Sequence, residues 1–225
     1  MNTFVKAAIF AIAALTTFAA PAAAKTPALF NTIEYRTNNF DQLPQWKAAM
    51  HKIVKEQKSY ATSRSKAVKA WQAMIRNEKG ARQIDQLKAA NSFINQWRYR
   101  TDNYNYKQSD YWASPAEFFS RSGDCEDYAI AKYVTLRQMG FSADQLRLVV
   151  VKDLNQNLAH AVLAAYVDGD VFILDNVNSK VRSQADVTEY APYYSVNEQA
   201  RWAHAAAPAA ASAKVASAAG LFAKS

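Results

Sequence analysis

The chain has 225 residues, half of them apolar, so one domain with a substantial core is expected and global disorder is excluded. Its single Cys rules out an intramolecular disulfide and any multi-Cys zinc site, and five Gly leave no glycine-rich phosphate loop. The formal charge of +8 (27 Lys+Arg against 19 Asp+Glu) is scattered with no Lys/Arg run longer than two, which argues against a nucleic-acid partner.

Residues 1–24 begin near Lys6, continue as an apolar run from Ala7 to Ala20 and close on Ala22-Ala23-Ala24. This is the pattern of a secretory signal peptide cleaved between Ala24 and Lys25, because about 14 apolar residues fall short of the ~20 that a spanning helix needs. An exported, periplasmic protein is expected, with residues 25–202 as a single domain.

From about Leu43 to Trp97 apolar residues recur at helical spacing: Trp46, Met50 and Ile53, then Val68, Trp71 and Ile75, then Ile84, Leu87, Ile94 and Trp97. Lys and Arg fill the opposite faces, so two to three amphipathic helices form a helical lobe over about 40–100, and the basic charge is its solvated side. A polar, tyrosine-rich link, Thr101 to Asp110, precedes the stretch 108–202. Ser114, Pro115 and Glu117 carry a capping-box pattern, and Asp124 with Asp127 a second one, so that a helix begins at Cys125 and ends at Gly140. Leu146–Val151, Ala159–Val167 and Val171–Leu174 then read as strands, the last two joined by a turn at Asp168-Gly169. Helices followed by an antiparallel sheet make an α+β fold. Ala203 to Ser225, with 12 Ala among 23 residues and Pro208 within it, reads as a flexible tail.

The chemistry-bearing residues converge on one reaction class. Cys125 falls in the first turn of its helix, where free N–H groups and the helix dipole favour a thiolate. A two-residue hairpin turn pairs Val167 with Asp170, hence Val162 with Asp175, which puts His160 and Asp175 on one face as diagonal neighbours. Cys125, His160 and Asp175 thus supply nucleophile, base and orienter for acyl transfer through a thioester. The Cys125 backbone N–H is the natural oxyanion donor, with Tyr111 or Trp112 as candidate side-chain donors. His51 lies among helical lysines and His204 in the alanine-rich end. Asp124, Glu126 and Asp127 put three carboxylates beside the thiol, which should suppress the thiolate unless a cation is bound. Hard oxygen ligands suit Ca²⁺, but Asp124 and Asp127 also have capping roles, so the residues alone leave the metal open.

The stretch Gln108-Ser109-Asp110-Tyr111-Trp112, the segment Ser114 to Phe118, the motif Gly123-Asp124-Cys125-Glu126-Asp127-Tyr128-Ala129, and the later His160-Ala161-Val162-Leu163 and Leu174-Asp175-Asn176 together resemble the bacterial transglutaminase-like cysteine proteinases. The resemblance spans about Ala90 to Trp202 and implies a papain-like/transglutaminase-like fold with Cys125, His160 and Asp175 as its triad. The LapG-type branch of that family is periplasmic and calcium-dependent. It cuts near the N-terminus of large surface adhesins to release biofilm cells, and an inner-membrane receptor sequesters it. For this chain the resemblance implies calcium held by Asp124 and Glu126, with Asp127 and Asp144 as further ligands. Two other readings stand beside the endopeptidase: transfer of the acyl group to an amine, as in transglutaminases, and an inactive calcium-responsive binding module.

Overall fold

The computed structural model describes residues 27–207; the expected signal peptide and the end of the expected tail lie outside them. Three helices build the lobe expected from the apolar spacing: α1 (Pro44–Glu56), α2 (Lys66–Glu78) and α3 (Gln83–Ile94). The first two start where the sequence supplies a start signal: Pro44 at the first position of α1, and Ser65 accepting the Val68 N–H ahead of α2. Trp46, Ile53, Val68, Trp71, Ile75, Leu87 and Ile94 are buried. The tyrosine-rich link contains an unexpected short helix, α4 (Asp102–Tyr106), capped by the Thr101 hydroxyl.

Helix α5 (Pro115–Arg121) forms its Ser114–Glu117 capping box, and α6 (Cys125–Met139) ends on Gly140 at φ 113°, a conformation open to glycine. Every residue of α6 from Asp127 to Leu136 is buried. The helix packs on α2, α3 and α5 and, on its other side, on β2 and β3, and so forms the axis of the core.

Among the described residues, seven strands make one antiparallel sheet in the order β1-β7-β6-β2-β3-β4-β5. They are β1 (Thr32–Thr37), β2 (Leu146–Asp153), β3 (Leu158–Val167), β4 (Asp170–Leu174), β5 (Arg182–Ser183), β6 (Tyr190–Val196) and β7 (Arg201–Ala206). Sequence periodicity anticipates only β2, β3 and β4. The remaining strands alter one expectation: Ala203–Ala206 are not tail but the last four of the six residues of β7, paired with β1 and, at Ala203, with β6. Alanine has little strand preference of its own; two neighbouring strands supply the pairing that overrides it. The β3–β4 turn forms at Asp168 (φ 50°) and Gly169 (φ 83°) and pairs Val167 with Asp170 as expected.

Candidate active site

Cys125 is the first residue of α6, and the chain before it is fixed by close packing. A side chain on Gly123 would place its Cβ 2.0 Å from Asp127 Oδ2, so only glycine fits there. That approach lets Asp127 Oδ2 accept the Asp124 N–H (3.3 Å) while Oδ1 accepts the Ala113 N–H (2.7 Å), tying the start of α6 to the segment before α5. The thiol donates to Glu126 Oε2 at 3.1 Å. Burial pushes its pKa up; the charges of Glu126 and Asp124 push it further, and the Ala161 backbone N–H opposes them.

His160 on β3 and Asp175, just past β4, meet as the hairpin parity requires. Nε2 of the imidazole donates to Asp175 Oδ1 at 2.9 Å. Asp175 is buried and also accepts the Tyr190 hydroxyl on Oδ2 (2.6 Å) and the Val177 N–H on Oδ1 (3.1 Å). Burial alone would raise its pKa, but the His160 hydrogen bond and charge, with Tyr190 and Val177, outweigh it and hold the group below the usual carboxylate range. The Asn95 amide, capping the end of α3, clamps the Asp175 carbonyl at 2.8 Å, and the Tyr190 ring lies 5.5 Å from the imidazole. Asn95 and Tyr190 were not anticipated, because only the folded chain brings α3 and β6 to residue 175.

Two cavities flank the cysteine and histidine, which line both. One, of about 410 Å³, is bounded by Tyr99, Leu158 and Val177; the other, of about 320 Å³, by Trp112, Glu126 and Tyr194. Together they form a cleft running past the thiol. The two candidate oxyanion side chains are otherwise engaged: the Tyr111 hydroxyl donates to Glu117 (2.6 Å), and the Trp112 indole N–H to Asp110 (2.9 Å). The Cys125 backbone N–H is left as the donor at the helix start.

The acidic residues group differently from expectation. Carboxylate oxygens of Asp102, Asp110 and Glu126 lie within 4.8 Å of one another, as do those of Asp102, Asp124 and Asp127. Asp102, from α4, is common to both sets and was not singled out beforehand, since nothing local marks it as a ligand. Asp144 is a correction: it follows Gly140, so the length of α6, about 20 Å, separates it from Cys125, and it is exposed. Burial, with Glu126's charge second, pushes Asp124 up to about 8; burial likewise raises Asp102 to about 6 and lifts Glu126 and Asp127. Asp102 Oδ1 and Asp124 Oδ1 are buried with no hydrogen-bond partner. Buried carboxylate oxygens without a partner among the described residues, set among further carboxylates, match the hard donors a calcium ion takes.

The other histidines stay outside the cleft. His51 is exposed on α1. His204 sits in β7, not in a tail, with Nδ1 at 2.8 Å from Thr32 Oγ1 and Nε2 at 2.9 Å from Ser195 Oγ.

Comparison with known proteins agrees with this geometry. Residues 57–209 match the family described as bacterial transglutaminase-like cysteine proteinase. Calcium-bound Legionella pneumophila LapG is 37% identical, with a TM-score of 0.59 over 67% of this chain and 87% of that one. The EGTA-treated form of the same protein is equally identical, with a TM-score of 0.58 over 67% and 84%. No curated protein sequence matches significantly.

Proposed function

The chain belongs to the bacterial transglutaminase-like cysteine proteinases and is a cysteine peptidase, and on that premise we propose that Cys125, His160 and Asp175 are its catalytic triad. The 2.9 Å hydrogen bond from His160 to Asp175, beside a thiol in the same cleft, carries this reading. With its proton held on Nε2 by Asp175, the imidazole has Nδ1 as its basic nitrogen. Nδ1 takes the Cys125 proton as sulfur attacks the scissile carbonyl carbon, and the Cys125 N–H stabilises the oxyanion. Collapse of the tetrahedral species breaks the C–N bond, and the imidazolium returns the proton to the departing amine. His160 then deprotonates a water that hydrolyses the thioester and frees the thiol. Asp175 stays ionised throughout, supported by Tyr190 and the Val177 N–H.

Calcium dependence is part of the proposal. Asp102, Asp124 and Glu126 would hold the ion, with Asp110 and Asp127 adjoining. Bound there, Ca²⁺ supplies positive charge that offsets the carboxylates opposing the thiolate. The partnerless buried oxygens and the calcium-bound relative support it. The proposed setting is the periplasm, from the signal pattern of residues 1–24. The proposed substrate is a large surface adhesin of biofilm cells, with an inner-membrane receptor that sequesters the enzyme; both rest on the family resemblance. Residues 25–225, given calcium, should cleave the N-terminal region of such an adhesin, and Cys125→Ala should abolish cleavage. Full activity of metal-stripped protein would remove calcium from the account.

A further inference from the structure

We propose that Lys132 is a positioning residue for the triad: from α6 its buried ammonium balances the Asp175 carboxylate and opposes protonation of His160. The inference rests on the triad reading above. Lys132 is fully buried, and its Nζ has no hydrogen-bond partner among the described residues. A lone buried ammonium is costly, whereas an apolar side chain of similar volume would fill the same space without that cost. What the lysine adds there is charge.

Its place in the fold says where that charge acts. Lys132 follows Cys125 by seven residues, two helical turns, so both side chains leave α6 on one face, about 10 Å apart along its axis. On that face Cys125 meets the Ala161 N–H of β3. Asp175 closes the hairpin that β3 forms with β4, and it is the one charged group among the described residues that acts on the Lys132 amine. The amine also lies 5.9 Å from the centre of the Tyr128 ring, whose face favours a cation.

The surroundings supply acceptors and no second cation. Asn95 donates to the Asp175 and Asn178 carbonyls, and Asn91 to those of Asn178 and Ser179. Oδ1 of Asn91, Asn95 and Asn176 stays buried and unpartnered beside that turn. Charges on the other elements packed on α6 are engaged elsewhere: Asp85 of α3 with Arg82 and Lys88, Glu117 of α5 with Lys52, and Arg147 of β2 with Glu34. Asp153 of β2 caps the Asn155 and Gln156 N–H groups, and Lys66, Lys69 and Arg76 of α2 are exposed. On β3 His160 itself is bound to Asp175. Burial draws the Lys132 amine down to about 7, with Asp175 opposing, so it carries its charge on the acid side of neutrality. A cation there eases loss of a proton from the Cys125–His160 pair, whichever of the two groups gives it up.

The test follows iodoacetamide alkylation of Cys125 against pH in calcium-loaded residues 25–225, each variant checked as folded at every pH. Lys132→Met should move the acid limb of the profile up by about one pH unit, the effect of one buried charge at an effective dielectric near 20. Lys132→Arg, which keeps the charge, should leave the limb in place. A lysine that only fills space would lower the urea midpoint in Lys132→Met without moving the limb, and that result would overturn the proposal. Where Lys132→Met does not fold, the reciprocal reading decides. By NMR of 13C-labelled lysine the buried amine should titrate at lower pH in Asp175→Asn than in wild type, and equal titration would overturn the coupling. An unmoved limb with wild type still faster than His160→Ala leaves the triad standing; equal rates in those two remove the triad as well.

Discussion

Asp175 concentrates the chain's demands on a single side chain: a buried carboxylate with three donors, kept ionised so that His160 has one orientation and one tautomer. Asp175→Asn should preserve the packing yet lower kcat by about 10²–10⁴-fold, because the amide cannot stabilise the imidazolium. Tyr190→Phe removes one hydrogen bond to a charged acceptor and should cost about tenfold or more in kcat with little change in KM. An Asp175→Asn enzyme within a factor of three of wild type would contradict the assigned role. Gly123→Ala belongs to the same scale. Its Cβ has no room beside Asp127, so the start of α6 must shift, with an expected loss of about 1–3 kcal/mol measurable by urea denaturation.

At the scale of elements, the hairpin was the legible part of the site. Two positive-φ turn residues, Asp168 and Gly169, set the register, and parity alone then placed His160 and Asp175 together. The helical lobe was legible for a similar reason, since one apolar stripe per helix is a local property. Strands β6 and β7 were not. Pro192 and the exposed Tyr193 interrupt β6 where its register with β2 shifts, and three of the six residues of β7 are alanines whose strand state depends on its neighbours. Asp102 escaped for the same cause: its relation to Asp124 and Glu126 exists only once α4 folds against α6.

His204 gives β7 a pH signature. Burial draws its pKa down to about 4, with Glu34 opposing and Arg147 adding, against about 6.5 in an unfolded chain. Between those values the unfolded chain binds a proton that the folded one refuses, so stability falls as pH drops from about 6.5 toward 4. His204→Gln should flatten that loss, read as urea midpoints at pH 7 and pH 5. Equal losses in both proteins would remove His204 as its source.

At the scale of the whole molecule, helices α4 and α6 and the segment ahead of α5 converge on one acidic centre, so a calcium ion held there, as proposed, would link its binding to folding. Calcium at 100 times its Kd should stabilise the protein by about 2.7 kcal/mol, a rise of about 5–10 °C in Tm. Asp102→Asn should remove most of that rise; an undiminished shift would place the ion elsewhere or nowhere.

The central claim is that His160 activates Cys125. The direct measurement is the rate of Cys125 alkylation by iodoacetamide at pH 7 in calcium, for wild type and His160→Ala, both checked as folded. A rate at least tenfold lower in the variant is predicted; equal rates would contradict the triad.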